Sequence, residues 1–556
     1  MKRTLAIALF SSALLIIASA FTLGAQGYLQ ASGYPSNPVT AGDELDPSFG
    51  VGGKVITDFF GNNDQVNGIA IQGDGKIVAV GSALRDATTP GLGIARYNPD
   101  GTLDTNFGTG GKVTADVPGI LDRFVPIAVA LQSNGKIVVG GESANLSTGF
   151  SQFALARFNA NGSLDVSFGD EGRVITNMSN FGDSALALAI QPDGKILAVG
   201  EVNDVYYASI TPYCAMVRYN TDGSLDSTFG SAGIVRASPG KLHAVVIQPD
   251  EKIVAAGISV AGHYAPSRLA VWRYNSNGTY DGSFGNGGLF PGFDGIYIIG
   301  ADPALKFYAA RSILLLPGGE LIAAGLAGDG TTNYFGLIKL NSAGNLDPSF
   351  DADGIVTTDF RPRSAGSTAV GLQADGKIVA AGYARGIDEV GDFAVVRYNP
   401  DGSSDVSFGD NGKVTTSFGG FSSAQSLAVQ PNGNIVVAGY GTGDVSRDFA
   451  LARYGDYVTF NLSVQDENND YMLMLNSVTG EYKAFSCAGF MVYGTGSMVQ
   501  KGGNITLQHT AADRRVLVKI DTYQHKATAS IQLLSTGQSI NIIDRSTLNN
   551  RCTCPR

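Results

Sequence analysis

Seven aspartates and seven cations recur at equivalent places through this 556-residue chain. The aspartates are Asp46, Asp104, Asp165, Asp226, Asp281, Asp347 and Asp405. The cations are Arg96, Arg157, Arg218, Arg273, Lys339, Arg397 and Arg453. One chemistry open to such a set is a series of ligand or metal positions. Repetition argues for another. A catalytic centre needs different residues in different roles, and near-identical positions do not supply them. Aspartate caps turn amides, and the planar arginine fork reaches a neighbouring carboxylate or carbonyl. The repeated pair is therefore expected to hold turns and sheet edges.

The remaining catalytic inventory is thin. There are four histidines, His243, His263, His509 and His525. No H-E-x-x-H, G-x-S-x-G, P-loop or dinucleotide fingerprint is present. His243 opens the apolar run Ala244-Val245-Val246 and reads as structural, whereas His263 lies in a variable loop and could touch a ligand. Paired carboxylates for glycoside cleavage are available among the many aspartates. The acidic loops Asp170-Glu171-Gly172 and Asp351-Ala352-Asp353-Gly354 carry oxygen ligands but lack the EF-hand order. No cofactor is implied; Ca2+ is the one ion these loops leave open, with no loop preferred. Cys214 stands in the repeats, while Cys487, Cys552 and Cys554 fall near the C-terminus. Cys487 bridging Cys552 or Cys554 is the disulfide expected in an oxidising compartment.

The elements that must position these residues form a repeat. Its marker phenylalanines are Phe49, Phe107, Phe168, Phe229, Phe284, Phe350 and Phe408. In the second unit Leu103-Asp104-Thr105-Asn106-Phe107-Gly108 is followed by Lys112-Val113-Thr114 as strand one. Residues 127–132, 136–140 and 153–159 give strands two to four, with Ser133-Asn134-Gly135 as a tight turn between two and three. Short Val/Ile-rich runs between Gly, Asn and Asp read as antiparallel sheet. Strands two and three are apolar on both faces, as in Ile77-Val78-Ala79-Val80, so both faces must be covered. A unit this small buries its faces only by stacking on neighbours. The expected fold is all-β: a seven-bladed β-propeller of four-stranded repeats over residues 45–455, then a small β-sandwich-like domain over 456–556. Every unit carries its own four strands on this reading, and no strand within 28–44 would latch the ring.

The strand two-to-three turn recurs as Gln72-Gly73-Asp74-Gly75-Lys76, Gln191-Pro192-Asp193-Gly194-Lys195 and Gln373-Ala374-Asp375-Gly376-Lys377. In the fourth copy Glu251 stands in place of the glycine, which weakens that turn. The strand one-to-two and three-to-four connections vary freely and emerge on one face of an up-and-down blade. Binding usually resides on such loops. The variable face carries Tyr206, Tyr207 and Tyr213 in the third unit, His263 and Tyr264 in the fourth, and Tyr297 and Tyr334 in the fifth. Aromatics among Gly and Asn suit sugar rings or peptide surfaces.

The phrases Leu164-Asp165-Val166-Ser167-Phe168-Gly169, the turn run over 191–200 and Val396-Arg397-Tyr398-Asn399 resemble the bacterial delta-sixty repeat family across about residues 45–455. Departures are Tyr280-Asp281-Gly282, Phe350-Asp351 and Ile338-Lys339-Leu340-Asn341. The resemblance implies an exported or surface protein, often with adhesion-like modules, and no catalytic residues. Lys2, Arg3 and the apolar run 5–20 read as a signal peptide over 1–25, cleaved after Ala25, with a linker over 26–44. No later stretch is long and apolar enough to cross a bilayer as a helix. A net charge of −11 argues against nucleic acid. The resulting expectation is a secreted, periplasmic or cell-surface binding or scaffold protein, non-catalytic, whose loop face meets a glycan or protein. The alternative is a polysaccharide hydrolase or lyase on a propeller scaffold.

Overall fold

In a computed structural model of the chain, the described residues are 45–455 apart from residue 47 and the segments 86–89, 115–122, 145–149, 207–208, 261–267, 286–295, 299–305, 387–389 and 443–445, together with the strand backbone of the tail. The expected signal peptide and linker lie outside them.

The repeat region is a β-propeller, but its strand phase and sheet count differ from expectation. The strand that follows each L-D-x-S-F-G phrase does not begin its own blade. It forms the outer edge of the preceding one: Lys112–Val113 pairs with Pro90–Tyr97, and Arg173–Thr176 pairs with Ser151–Phe158. One consequence is a latch. Lys54–Thr57, near the start of the repeats, pairs antiparallel with Arg447–Tyr454 at their end and completes the sheet of Ser423–Val429 and Ile435–Thr442. Leu45 bridges Tyr454 beside it. The ring is thus closed by a strand borrowed from the first unit.

The seven-bladed expectation is corrected by the hydrogen-bond ladder. Residues 45–455 form six sheets, five of four strands and one of seven. The propeller is six-bladed when blades are counted as hydrogen-bonded sheets. In the seven-stranded sheet the third and fourth repeat units are joined by one continuous strand, Ile234–Ile247. Its first part pairs with Ser209–Tyr219 and its second with Ile253–Ser259. The cause is local. Where other units turn through a Gly/Asn loop, such as residues 58–63, this one has only Ser238-Pro239-Gly240, and the marker spacing from Phe229 to Phe284 is the shortest of the series. Gly240, at φ +152°, takes up the change of partner where an added Cβ would meet the Ile258 carbonyl oxygen at 2.2 Å.

The apolar runs are buried on both faces, and their side chains fill the junctions between neighbouring units. One cluster joins Val78, Val80 and Ile94 to Phe124, Ile137 and Val139. Another joins the first unit to the last, with Ile77, Ala79 and Tyr97 against Val436, Phe449 and Leu451. Ring closure therefore buries the same kind of surface as every other junction, and apolar burial supplies the main driving force. Beyond residue 456 the described backbone is strand. Tyr457–Ser463, Asp470–Asn476, Glu481–Ser486 and Met491–Thr495 make a four-stranded antiparallel sheet, and five strands from Ser497–Lys501 to Ser539–Asp544 make another. The sandwich packing expected there depends on side chains outside the described residues. The disulfide expectation is also corrected. Among the described residues no disulfide is present, and Cys214 is a buried free thiol. Cys487, Cys552 and Cys554 lie outside the described residues.

The repeated Asp and Arg have a common geometry. Arg157 Nε donates to Asp165 at 2.6 Å, and its Nη1 donates to the Thr221 carbonyl of the next unit at 2.5 Å. Its guanidinium lies 4.4 Å from the centre of the Phe168 ring. Arg96, Arg218 and Arg273 repeat this with Asp104, Asp226 and Asp281, and with the carbonyls of Ala160, Ser276 and Ser342. At the seam Arg453 pairs with Asp46 and donates to the Pro99 carbonyl, 407 and 354 positions away in sequence. The turn lysines Lys76, Lys136, Lys195, Lys252 and Lys377 add a second cation to the same aspartates.

Two outcomes follow from this network. The Arg453 and Asp46 side chains are 6% and 0% exposed, so Arg453→Ala strands a buried carboxylate. We expect a loss of about 3–5 kcal/mol in urea unfolding, together with faster amide exchange over Lys54–Thr57. The second outcome concerns acid. Burial alone would raise the Asp405 carboxyl, but Lys377, Ser407 and Arg397 outweigh it and bring it down to about 2. Asp165, Asp226 and Asp281 are likewise held well below the usual carboxylate range, against burial, by their hydroxyl, lysine and arginine neighbours. Folded values below the unfolded ones, about 4, mean stability that is complete above pH 4 and is lost as pH falls toward 2. Denaturation midpoints measured across that window should fall steeply, and a flat profile would contradict the assignment.

Candidate functional site

Blade topology places the one-to-two and three-to-four connections on one face. Two side-chain clusters stand there, one at the junction of the last and first units and one between the last unit and the sheet before it. The first is acidic. Asp58 follows the latch strand, Asp64 opens the strand Asp64–Ile71, and Asp448 stands in Arg447–Tyr454. One carboxylate oxygen from each lies within 4.8 Å of the others. Asp58 is exposed, whereas Asp64 and Asp448 are buried. Asp64 accepts the Phe59 and Leu84 amides at 2.9 and 3.0 Å, and Asp448 accepts the Ser446 hydroxyl at 2.9 Å. Burial pushes the Asp64 carboxyl up to about 7; the two amide bonds oppose this, and the charges of Asp58 and Asp448 reinforce it. Three carboxylates so placed can coordinate a divalent cation, with calcium the hard, oxygen-seeking case.

The second cluster is cationic and aromatic. The Arg447 guanidinium lies 4.6 Å from the Phe421 ring centre and 5.2 Å from that of Tyr440. Arg385 lies 4.9 Å from Phe421 and 5.4 Å from Tyr383. Phe421 and Tyr440 are stacked at an interplanar angle of 5°. Arg447 is exposed and makes no salt bridge among the described residues. Stacking occupies a guanidinium's flat faces and leaves its N–H edge for a carboxylate, phosphate or hydroxyl acceptor. The Arg447 amide donates to Asn63 at 3.0 Å, which ties this cluster to the strand end that bears Asp64.

The residues singled out from sequence are placed elsewhere. Tyr206 ends the strand Ile196–Tyr206, opposite Ser209. Tyr213 is half-buried and packs against the cluster around Val202 and Val217. Tyr297 pairs with Val271 at a sheet edge. The Tyr334 hydroxyl donates to Asp329, which caps the turn amides of Thr331 and Thr332. Tyr207, His263 and Tyr264 lie outside the described residues. His243 is held by the Ala310 carbonyl at 2.8 Å, and burial brings its imidazole down to about 4, which fits a structural role. The acidic loops are engaged locally: Asp170 pairs with Arg173, and Asp353 accepts the Ile355 amide. Neither cluster was singled out from the sequence. Their signal was present as arginines outside the repeat phrase (Arg385, Arg447) and a phenylalanine, Phe421, in a one-to-two loop.

Seven segments of the chain, residues 72–107, 132–168, 191–229, 248–284, 317–350, 373–408 and 430–455, match a family described as a domain of unknown function (DUF5122) beta-propeller. Residues 72–455 are accordingly a β-propeller domain of that description. The description does not name the delta-sixty repeat that the phrases resemble. No curated protein matches the chain. Among solved structures, a protein from Lactobacillus plantarum is 12% identical over 76% of this chain and 95% of its own, with a TM-score of 0.37. Virginiamycin B lyase from Staphylococcus aureus is 10% identical over 63% and 91%, at 0.28. The β-propeller domain of the Trilobed protease from Pyrococcus furiosus is 9% identical over 76% and 97%, at 0.29. Likenesses this distant carry no argument about activity.

The acidic cluster yields a direct expectation. Calcium at millimolar concentration should raise the thermal midpoint at pH 7.5, by about 2–3 kcal/mol of stability at a hundredfold excess over Kd. A chelator should reverse the shift, and Asp64→Asn should abolish it in differential scanning calorimetry.

Proposed function

We propose that this protein is an exported, non-catalytic binding or scaffold protein whose loop face contacts a glycan or a protein surface. The observation that carries the reading is the Arg385–Phe421–Arg447–Tyr440 cluster, which sets charged donors and aromatic surface side by side on the loop face of a rigid ring. An exposed guanidinium preorganised on aromatic rings loses little freedom on binding, and arginine and tyrosine dominate recognition surfaces. On this reading Tyr206, Tyr213 and Tyr334 belong to the outer part of the same face. The delta-sixty likeness of the repeat phrases supports export and surface display.

A second reading rests on a different observation. Asp64, with its carboxyl near 7, lies beside Asp58 and Asp448, and a raised carboxyl next to others is how glycoside-cleaving sites divide acid and base roles. Against it, both Asp64 oxygens already accept backbone amides, which suits a structural or cation-holding part better than proton delivery.

The two readings separate in one experiment, a broad glycan array run beside a reducing-end release assay. We expect saturable binding without turnover, weakened at least tenfold by Arg447→Ala. Turnover that disappears in Asp64→Asn would establish the enzyme instead.

A further inference from the structure

The opposite face, built from the uniform turns, contains a cleft of about 300 Å³ where the third and fourth units meet. That is the lower end of the volume range of small-molecule sites, roughly 300–1,000 Å³. Gln191, Asp193, Lys195, Arg218, Glu251 and Asn277 are among its lining residues. We propose that this cleft is a binding site for a neutral, hydroxyl-rich small molecule of monosaccharide size.

Three observations converge on it. The first is an unmet hydrogen bond. Gln191 is 6% exposed, and its Oε1 is buried without a partner. The equivalent oxygens of Gln72, Gln132, Gln248 and Gln373 are buried without a partner as well, so the unmet acceptor recurs along the repeat, and what sets this copy apart is the residue at position 251 beside it. A buried carboxamide oxygen without a partner costs free energy unless something supplies one.

The second is backbone strain. Glu251 takes φ +65° at a turn position where the other copies have Gly75, Gly135, Gly194, Gly319, Gly376 and Gly433, at φ between +81° and +90°. A side chain held in the left-handed region is disfavoured, and such residues cluster at ligand sites. Here the strained position is held by Glu251, one of the residues lining the cleft.

The third is the balance of committed and free groups. Arg218 is engaged by Asp226, Thr228 and the Ser276 carbonyl. Lys195 sits 3.2 Å from both Asp193 and Asp226. The cations are thus neutralised, and Glu251 leaves the cleft slightly negative, which disfavours an anion. Residues with acceptors (Glu251) and donors (Lys195, Asn277) line one space, with Gln191 among them. Hydroxyl groups, which donate and accept at once, complement such a lining.

The test uses the full chain and saturation-transfer NMR with free glucose, galactose and mannose, with glycerol as the small-polyol control. At least one hexose should show saturable transfer with a millimolar Kd. Gln191→Leu and Glu251→Gly should each weaken it fivefold or more. Glu251→Gly should also melt above the parent, because the strain is relieved, so its lost binding cannot be ascribed to unfolding. Gln132→Leu, at a junction that keeps the turn glycine, should leave binding unchanged. Absence of saturable transfer for all three hexoses, or binding that survives both cleft substitutions, overturns the proposal and leaves the cleft to water.

Discussion

A buried guanidinium is tolerable only when its charge and its hydrogen bonds are all met, and the propeller is arranged around meeting them. Asp165 takes one edge of Arg157, a carbonyl of the next unit takes another, and the Phe168 ring covers a face. The hydroxyl of Ser167 fixes the aspartate in turn. Removing any one part leaves the others buried and unpaired, so the phrase L-D-x-S-F-G and the distant A-R-Y-N are maintained together. The fifth unit shows what the fork contributes. Lys339 reaches Asp347 at 3.0 Å and Ser349 at 3.4 Å, but among the described residues it makes no bond to the following unit's turn. A point charge satisfies the aspartate without tying two units together.

Much of the architecture was legible because its determinants are local and repeated. Gly135 at φ +81° and Gly194 at φ +85° occupy the tight turns that the D-G-K and N-G-K phrases announce. The doubly apolar strands Ile77–Leu84 and Ile137–Ala144 are buried on both faces. Strand phase was not legible. The sequence shows a strand after Phe49, and nothing local tells whether Lys54–Thr57 pairs forward or with Arg447–Tyr454 at the other end of the repeats. The merging of the third and fourth units was hidden similarly, since Ser238-Pro239-Gly240 reads as a turn, and only pairing on both sides keeps Ile234–Ile247 extended.

The candidate site was less legible than the fold for a related reason. Tyrosines in loops attract notice, yet Tyr213 and Tyr334 are drawn into packing and a local turn. The acidic cluster combines residues from opposite ends of the repeat region, Asp58 and Asp64 with Asp448, which no window of sequence brings together. A repeat that is uniform along the chain becomes distinctive where its two ends meet.

The borrowed strand also sets an order of events in folding. Lys54–Thr57 emerges early in synthesis, but its partner is complete only at Tyr454, so the final ladder must wait for nearly four hundred intervening residues. Until then the sheet built on Ile435–Thr442 and Arg447–Tyr454 has an open edge, and the early strand has none to join. An identical strand from a second copy would fit that edge equally well. At high concentration, closure within one chain competes with strand exchange between chains, and the loop-closure entropy that slows the first favours the second.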